Sequence, residues 1–515
     1  MSRPLDSQDA TREDVTRADA TREDATREVE ERVEGMGDPE GGPALPSAGL
    51  AAHAAATAAG EEAPARRGTG TTREIWSLAW PTMLSQVLIT IVQLVDIAMV
   101  GRIGPNAQAA VGYATQFFFL SQSALFAIGF ACVALMARAI GAGDPQRARA
   151  ALAGSLGLAI LVALLFASIL ISFPETLLSW LSAGPEVRGL AVPYLRLVMT
   201  GSVLFGVALT LESALRANKD MKTPMRVAAA ATIVKLILNA LLIFGLFGFP
   251  RLELVGAGLA TLGAQMMAVA LLVTIAARAP RDGPLAVRWA DVRRAREVMR
   301  ELVRISIPGV AERLIMNLAM LAYFAVLSSY GTAAVAAYTI GVRVLAFSWI
   351  PGVGYSQAVG TLVGQSLGAR DLPAAERAGW RGAALSLGTA VVLGIVCVVS
   401  RGPLARLFTT DPETIAALGP FMLALGLAQP FLQLHFTLGG AHRGAGDTWT
   451  PLMAALVGNW VFRVPLAVLF ARYLDLPLTW VWGALIFDHI ARSGWLFWTF
   501  RSGRWHRNSG VTAPA

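Results

Sequence analysis

Long apolar runs constrain the fold of this chain more than any other feature. Between Ile75 and Gly101 the only charged residue is Asp96, and residues 103–137 carry no charge. A helix that crosses a hydrocarbon core of about 30 Å needs about 20 mostly apolar residues. Because a helix in lipid satisfies its own backbone hydrogen bonds, we predict an all-α integral membrane protein. Its twelve transmembrane helices form two sets of six: 75–101, 103–137, 150–173, 190–215, 226–249, 254–277, 305–329, 333–365, 382–402, 414–441, 450–471 and 477–500.

The composition argues against several other classes of protein. The chain is 55% hydrophobic and only 15% charged, whereas soluble domains are about 45–50% apolar and about 25% charged. Its net charge of +8 comes mainly from arginines between apolar runs, so we expect no nucleic-acid partner. The two cysteines lie inside apolar runs, and the five histidines lack HxxxH or HExxH spacing. We therefore expect neither an enzyme nor a cofactor, and no metal centre built from these side chains.

The polar segments predict how the chain is oriented in the membrane. Residues 11–28 read TREDVTRADATREDATRE and residues 41–70 are rich in Ala, Gly, Pro and Thr, so we predict a disordered tail over 1–72. The first apolar run starts near Ile75, which is too late for a signal peptide. Loops after even-numbered runs, with the C-terminal tail, hold 20 Lys and Arg residues, against six after odd-numbered runs. The positive-inside rule then predicts that both termini lie in the cytoplasm. We expect the protein in the inner (plasma) membrane of the cell.

The chain repeats itself at one fixed offset, the offset that brings Pro81 onto Pro308. The same offset brings Arg216 onto Arg443 and Asp220 onto Asp447, without a gap. An even number of spans in each copy keeps both copies in the same orientation, so we predict parallel repeats about an axis along the membrane normal. The predicted N-lobe, helices 1–6, covers residues 73–278, and the predicted C-lobe, helices 7–12, covers 302–503. A cytoplasmic linker, 279–301, joins them, and cytoplasmic tails lie at 1–72 and 504–515.

Ionisable residues inside predicted spans are candidates for function, because burying such a group in lipid is costly. Asp96 lies in the first span and Glu312 lies one turn after Pro308 in the seventh. Lys235 and Asn239 share one face of the fifth span at spacing i, i+4. A proton and a cation that compete for one carboxylate give a coupling device. The alternatives are that Asp96 only pairs with Lys235, and that Glu312 only pairs with the neighbouring Arg313.

Other charged residues in the spans have simpler interpretations. Glu212 precedes Arg216 by one turn, which favours a local ion pair. The Asp488-His489 pair and Arg492 in the last span are interpreted in the same way. Arg343 and Arg463 are expected to pair with helix-end carbonyl groups.

Five segments of the chain resemble the MATE (multidrug and toxic compound extrusion) family: VDIAMVGRIG, ARAIGAGD, LESALRANKDMKTPM, LVGQSLGARD and GGAHRGAGDTWTP. The resemblance covers about residues 73–503 and implies two six-helix lobes in a V shape. It also implies a cation-coupled (H⁺ or Na⁺) secondary antiporter that exports organic, cationic or amphipathic compounds by alternating access. The expected partners are a small organic substrate and the lipid bilayer, and we expect a monomer.

The resemblance assigns site residues and also reveals departures from the family. Asp96 matches the aspartate of the N-lobe cation site, Glu312 matches the seventh-span glutamate, and Thr261 matches a sixth-span hydroxyl. Many members have Asn and Asp where this chain has Lys235 and Asn239, and Leu432 stands near the place of a tenth-span aspartate. These departures favour H⁺ coupling, with Na⁺ at Asp96 as the one metal site left open.

Two other functions compete with export of organic compounds. A lipid-linked precursor flippase of the same superfamily would have two further helices and a strongly cationic groove. Lys235 and Arg343 favour it, whereas twelve spans and the acidic residues do not. A membrane scaffold that does not transport would leave all deep charges paired.

Overall fold

The computed structural model describes residues 70–286 and 289–507. The disorder predicted for 1–72 falls almost entirely outside these ranges, as does most of the predicted C-terminal tail. We number the twelve long helices α1 to α12: Thr72–Gly101, Pro105–Gly141, Pro145–Ser172, Pro185–Ala217, Lys222–Phe244, Glu253–Arg278, Trp289–Leu327, Thr332–Gly368, Leu372–Val399, Pro412–Gly444, Trp449–Tyr473 and Leu478–Arg501.

Short helical segments fill some of the connections between these helices. Helices Pro174–Trp180 and Arg401–Phe408 follow α3 and α9 at corresponding places of the two repeats. Single 3-10 turns follow α5 and α7, and Arg504–Arg507 forms a last short helix. Helix α7 begins inside the stretch 279–301 that the sequence predicts as a linker.

Eleven of the long helices in the described ranges are long and apolar enough to cross a membrane. The exception is α12, Leu478–Arg501, which contains the buried side chains of Asp488, His489 and Arg492. These three polar side chains are buried inside the protein and not exposed on its surface. The all-α, twelve-helix prediction is therefore confirmed, with α12 as the span whose sequence is the least apolar.

Several helix starts are specified locally and recur at corresponding places of the two repeats. Asp144 before α3 accepts a hydrogen bond from the Arg147 amide at 2.8 Å, and Asp371 before α9 accepts one from the Ala374 amide at 2.8 Å. Both aspartates are N-caps that satisfy an otherwise unpaired amide of the first turn. A proline follows each cap within the first turn, where its fixed backbone angle suits a helix start.

Contacts between helices follow the same repeat. In the first half α2 packs on α3 and α4, α4 packs on α3 and α6, α5 packs on α6, and α1 packs on α5. Each of these contacts has its counterpart among α7–α12. Between the halves, α1 contacts α8 and α2 contacts α7, which are matching pairs, while α2 also contacts α8. Helix α3 also contacts α7. The fold therefore consists of two six-helix lobes that meet through α1, α2 and α3 of the first lobe and α7 and α8 of the second.

Two matching glycines permit the closest approach between the lobes. A Cβ atom on Gly141, at the end of α2, would lie 1.9 Å from the carbonyl oxygen of Gln365 in α8. A Cβ atom on Gly368, at the end of α8, would lie 2.0 Å from the carbonyl oxygen of Arg138 in α2. Only glycine allows backbones to come this close. We call the end of the bundle where α2, α4, α8 and α10 finish the basic end; here the two lobes touch.

Side chains add further contacts between the lobes at the basic end. Gln365 Nε2 donates a hydrogen bond to the Ala217 carbonyl oxygen at 2.7 Å, and Thr361 Oγ1 donates to the Arg216 carbonyl oxygen at 3.2 Å. Both acceptors lie at the end of α4, where helix carbonyl groups have no partner within the helix. The lobes are therefore closed against each other at this end.

Candidate functional site

The structure brings Asp96, Lys235 and Asn239 together in the N-lobe. Lys235 Nζ donates to Asp96 Oδ2 in an ion pair, and Asn239 Nδ2 donates to Asp96 Oδ1 at 2.6 Å. The side chains of Lys235 and Asp96 are 20% and 25% exposed, while Asn239 is buried. The carboxylate thus has one donor on each oxygen and keeps contact with its surroundings through the exposed fraction.

Helix geometry explains this arrangement. Helix α1 packs against α5, and Asp96 lies five residues before Gly101, where α1 ends. Lys235 and Asn239 are four residues apart in α5 and so point from the same face, one turn from each other. Because of this four-residue spacing, the nitrogen donors of Lys235 and Asn239 reach the two oxygens of the same carboxylate.

The occupied oxygens leave little for a metal ion at Asp96. Carboxylate oxygens are the ligands that a hard cation prefers, but both oxygens of Asp96 already accept hydrogen bonds from Lys235 and Asn239. Within the described ranges, no group of three or more His, Cys, Asp or Glu side chains is arranged to hold a metal. A Na⁺ ion at this carboxylate would lie beside the Lys235 ammonium group, which would repel it.

Thr261 takes no part in the Asp96 hydrogen bonds. Its Oγ1 donates to the carbonyl oxygen of Ala257 at 3.0 Å, one turn earlier in α6. Such a bond to the preceding turn satisfies the hydroxyl within its own helix. The role that the resemblance gives to Thr261 stays a prediction.

Glu312 forms an ion pair with a different arginine from the one expected. Arg443 Nη2, at the end of α10, donates to Glu312 Oε1 at 2.5 Å. The neighbouring Arg313 instead lies with its guanidinium carbon 4.9 Å from the centre of the Phe126 ring in α2. The expected alternative partner, Arg313, is therefore wrong, because side chains at adjacent helical positions do not face each other.

Both arginines contact the N-lobe as well. The guanidinium carbon of Arg443 lies 5.3 Å from the centre of the Phe130 ring, and Phe130 and Phe126 are one turn apart in α2. A guanidinium group over an aromatic face is attracted by the ring quadrupole. The Glu312 pair thus lies beside the boundary between the lobes, at the basic end. By contrast Glu212 pairs with Arg216 at 2.6 Å within α4, as the sequence predicts.

A second polar group, which we call the C-lobe cluster, surrounds Asp488 and consists of Asp488, Arg463, Arg492, His435 and His489. Arg463 Nη2 lies 2.6 Å from Asp488 Oδ2, and Arg492 Nε lies 2.5 Å from Asp488 Oδ1. The expected pairing of Arg463 with helix-end carbonyls is therefore wrong. The rings of His435 and His489 stack, with centroids 5.4 Å apart.

The helix that carries Arg463 is irregular at this point. Residues Val457–Arg463 of α11 form a π-helical turn, which is rare and often occurs at functional sites. Several buried polar atoms near the cluster make no hydrogen bond within the described chain, including Arg463 Nε, His435 Nδ1 and His489 Nδ1. The cluster therefore forms a polar region inside the C-lobe in which several donor and acceptor atoms are available for further hydrogen bonds.

The internal repeat was the signal that could have located this cluster. At the offset that brings Pro81 onto Pro308, Asp96 corresponds to Tyr323 and Thr261 corresponds to Asp488. Tyr323 is buried, donates to the Val481 carbonyl oxygen at 2.8 Å, and lies 5.9 Å from the Arg463 guanidinium carbon. Thus the C-lobe places a carboxylate and two arginines where the N-lobe has its own aspartate site, but on other helices.

The loops after α4 and α10 form matching turns at the basic end. Asp220 Oδ1 accepts from the Thr223 amide at 2.9 Å, and Asp447 Oδ1 accepts from the Thr450 amide at 3.2 Å. Burial acts to raise the pKa of Asp447, but hydrogen bonds from His442 and Thr450 outweigh it and lower that pKa below its ordinary value of 3.8. Asp447 is therefore a structural carboxylate that stays charged at neutral pH.

Known proteins match this chain across the same two halves. The MatE family model matches residues 81–241 and again residues 308–469, so the two matches begin at Pro81 and at its counterpart Pro308. The chain belongs to the MATE family. It is accordingly a multi-pass membrane transporter.

Similar sequences and similar structures agree with this assignment. The probable multidrug resistance protein NorM of Bradyrhizobium diazoefficiens is 32% identical over 438 residues, 83% of this chain and 92% of the relative. The probable multidrug resistance protein NorM of Thermotoga maritima is 29% identical over 447 residues, which cover 85% of this chain and 94% of the relative. The FAD transporter of Shewanella oneidensis is 27% identical over 406 residues, 78% of this chain and 88% of the relative. The Vibrio cholerae MATE transporter VcmN, in its bent form, has the same fold, with a TM-score of 0.77, 21% identity, and 85% of this chain and 98% of that chain covered.

Proposed function

We propose that this protein is a secondary antiporter that couples inward movement of H⁺ to export of organic, cationic or amphipathic compounds. The observation that carries the proposal is the Asp96 carboxylate, which lies within a membrane helix, pairs with Lys235 and Asn239, and remains 25% exposed. An ionisable group at such a place is costly and is typically functional in transporters. The exposed fraction gives a proton or a cationic substrate access to it.

The coupling step follows from charge balance at this carboxylate. A proton that binds Asp96 removes the negative charge that holds the Lys235 ammonium group. Lys235 is then a mostly buried cation without its partner, which is unfavourable in a medium of low dielectric constant. The N-lobe must rearrange to hydrate or re-pair Lys235, and this change supplies the energetic link between proton binding and lobe conformation.

The same contacts favour H⁺ over Na⁺ as the coupling ion. A proton needs only one lone pair of the carboxylate, whereas Na⁺ needs several oxygen ligands around it. Lys235 and Asn239 present nitrogen donors to both oxygens of Asp96, and the ammonium group would repel a second cation at this distance. The site therefore suits a proton.

Alternating access would use the contact between the lobes at the basic end. The abundance of Lys and Arg in the loops there favours the cytoplasm as their side, with both chain termini on it. With that orientation, the close contacts of Gly141 and Gly368 with the opposite lobe close the protein on its cytoplasmic side. Loading of substrate from the cell requires these contacts to open. We propose that one chain suffices for this cycle, in the plasma membrane, without a cofactor.

The relatives' names support export of organic compounds. NorM proteins of two bacteria are described as probable multidrug resistance proteins, and the Shewanella relative as an FAD transporter. These names favour a small-molecule exporter over a flippase for lipid-linked precursors.

Transport in proteoliposomes tests the proposal. We expect labelled cationic dyes to move against their gradient when a pH gradient is imposed, and not when a Na⁺ gradient is imposed at equal pH on both sides. A membrane potential set by K⁺ and valinomycin in both samples removes electrical differences as a cause. Movement driven only by Na⁺ would refute proton coupling, and no movement under either gradient would refute antiport of these dyes.

A further inference from the structure

A groove opens between the two lobes on the side of α1 that faces α8 and α9. Its volume is about 570 Å³, and its lining includes Trp76 of α1, Tyr355 of α8, and Arg381, Leu385, Gly388 and Val392 of α9. The lining is mostly apolar, with Arg381 at one end and the hydroxyl groups of Tyr355 and Thr389, which hydrogen-bond to each other at 2.8 Å, further along. This groove is remote from Asp96 and from the C-lobe cluster, so the proposed transport cycle does not account for it.

The groove breaks the symmetry between the two repeats. In the first repeat the corresponding crevice lies beside Gly154, the counterpart of Arg381, and a Cβ atom there would contact Val298 and Ala295 at 3.5 and 3.6 Å. Those residues belong to the first turns of α7, which begins at Trp289. Helix α1 begins at Thr72, which corresponds to residue 299 of α7. The described part of α1 therefore lacks the turns that correspond to residues 289–298 of α7. The crevice beside Gly154 is thus filled by the first turns of α7 from the other lobe, whereas at the corresponding position of the second repeat α9 carries Arg381.

The groove faces the hydrocarbon region of the membrane. The side chains of Val392 and Trp76 are 61% and 49% exposed. From Arg381 to Val392 the helix advances eleven residues, or about 16 Å at 1.5 Å per residue, which is comparable with one leaflet of a hydrocarbon core of about 30 Å. Gly388 lies between them, and a Cβ atom there would have nothing within 4 Å. The groove is therefore long, mostly apolar and open at the depth of an acyl chain.

The charged end of the groove lies at the level of lipid headgroups. Arg381 is in the third turn of α9, counted from the basic end, and its Nη1 donates to the Gly70 carbonyl oxygen at 3.2 Å, just before α1 begins. The side chain therefore extends towards the aqueous side, as arginines at membrane boundaries do. Arg377 lies one turn nearer that side on the same face of α9 and is exposed. Two guanidinium groups thus stand where a lipid phosphate would lie.

From this geometry we infer that the groove between α1 and α9 is a binding site for one anionic phospholipid. Its phosphate accepts hydrogen bonds from Arg381, and one acyl chain lies along Leu385, Gly388 and Val392. Trp76 covers the chain at the boundary, where tryptophan is favoured. Charge complementarity and length select a phospholipid over an acidic peptide, because a peptide segment in this groove would place its backbone polar groups against hydrocarbon.

The lipid would act on both lobes at once. Its phosphate contacts α9 and the start of α1, and its acyl chain packs against side chains of both helices. Binding is therefore expected to be stronger in the arrangement where the lobes are closed at the basic end, since separation of α1 from α9 would divide the groove. An anionic lipid that binds one conformation better than the other shifts the population towards it.

Native mass spectrometry of the full-length protein in detergent, with phosphatidylglycerol or phosphatidylcholine added, tests this inference. We expect one phosphatidylglycerol to be retained in preference to phosphatidylcholine. Arg381→Gln should weaken its binding about fivefold, the contribution of one basic residue near an anionic headgroup. Gly388→Leu should fill the groove and weaken binding at least as much. Inorganic phosphate should neither bind detectably nor displace the lipid.

Two matched variants serve as controls. Arg226→Gln removes an exposed arginine at the basic end of α5, and Gly157→Leu fills an exposed position of α3 where a Cβ atom also has nothing within 4 Å. Both should bind phosphatidylglycerol like the native protein. Equal binding by all five proteins, or equal retention of both lipids by the native protein, would overturn the inference.

The N-terminal segment, residues 1–69, is the other occupant that the experiment distinguishes. It contains eight arginines, and trypsin can cut after the seven that are not followed by proline. We expect the same cleavage rate in the native protein, Arg381→Gln and Gly388→Leu. Faster cleavage in these two variants, but not in the controls, would assign the groove to this segment and overturn the lipid site.

Discussion

Lys235 of α5 and Asp96 of α1 form an ion pair within the N-lobe, with Asn239 donating a hydrogen bond to the second carboxylate oxygen at 2.6 Å. A lysine in a membrane helix is rare and usually has a partner. Here the partner is the one carboxylate of the site, so the charge of either residue determines the state of the other. The proposed coupling depends on this relationship.

Removal of the lysine should change the pH range over which the protein works. In Lys235→Ala, a proton that binds Asp96 no longer has to break an ion pair with the ammonium group. We therefore expect the pH optimum of dye efflux in proteoliposomes to shift upwards. Lys222→Ala, an exposed lysine at the start of α5, should keep the native profile. The same optimum in Lys235→Ala and the native protein would mean that Lys235 serves insertion or folding alone.

The close contact at the basic end predicts how the lobes respond to a single methyl group. Gly141→Ala and Gly368→Ala each place a Cβ atom about 2 Å from a carbonyl oxygen of the other lobe, so the lobes must move apart. Spin labels at Gln146→Cys and Arg377→Cys, with Cys132 and Cys397 replaced by Ala, should show longer distances in both glycine variants. Gly157→Ala, with open space around it, should not change them. Unchanged distances in Gly141→Ala would show that this contact does not hold the lobes closed.

The Glu312–Arg443 pair is expected to be a structural contact at the lobe boundary. Both side chains are mostly buried, 12% and 17% exposed, and loss of one partner of a buried pair costs about 3–5 kcal/mol. Arg443→Gln should therefore lower the unfolding temperature in detergent more than the double variant Glu312→Gln with Arg443→Gln. Equal losses in the single and double variants would show that the two charges are not coupled.

Asp447 should give the fold an acid-sensitive contribution. Its pKa is lowered below the ordinary 3.8 because hydrogen bonds from His442 and Thr450 outweigh the opposing effect of burial. A lowered folded-state pKa contributes stability above the unfolded value, and this contribution is lost as the pH falls through the folded value. Asp447→Asn should thus lower the unfolding temperature at pH 7, with a difference that shrinks below about pH 4. Asp475→Asn, in an exposed loop, should leave the unfolding temperature unchanged at both pH values. If the difference in unfolding temperature between Asp447→Asn and the native protein does not vary with pH, the prediction is contradicted.

The sequence predicts the spans and the N-lobe site because both depend on local patterns. Apolar runs locate α1 to α12, and the spacing of Lys235 and Asn239 places both side chains on one face. Their meeting with Asp96 needs only that α1 and α5 pack together. The fixed offset between the two repeats supplies the arrangement of the lobes, since matching helices make matching contacts.

The remaining contacts depend on how distant helices pack, which no local pattern encodes. Glu312 pairs with Arg443, 131 residues away, and not with its neighbour Arg313. Asp488 draws Arg463 from α11 as well as Arg492 from its own helix. The groove beside Arg381 results from helix α1 beginning later than its counterpart, which is a difference in helix length rather than in residue type.

The most direct test of the proposed coupling is dye efflux by Asp96→Asn in proteoliposomes under an inward pH gradient. The amide keeps the volume of the carboxylate and can still accept a hydrogen bond from Lys235, but it cannot take up a proton. We expect the variant to fold and to bind the dye, but not to move the dye against its gradient. Native rates of gradient-driven efflux in Asp96→Asn would contradict the proposal and remove Asp96 from the mechanism.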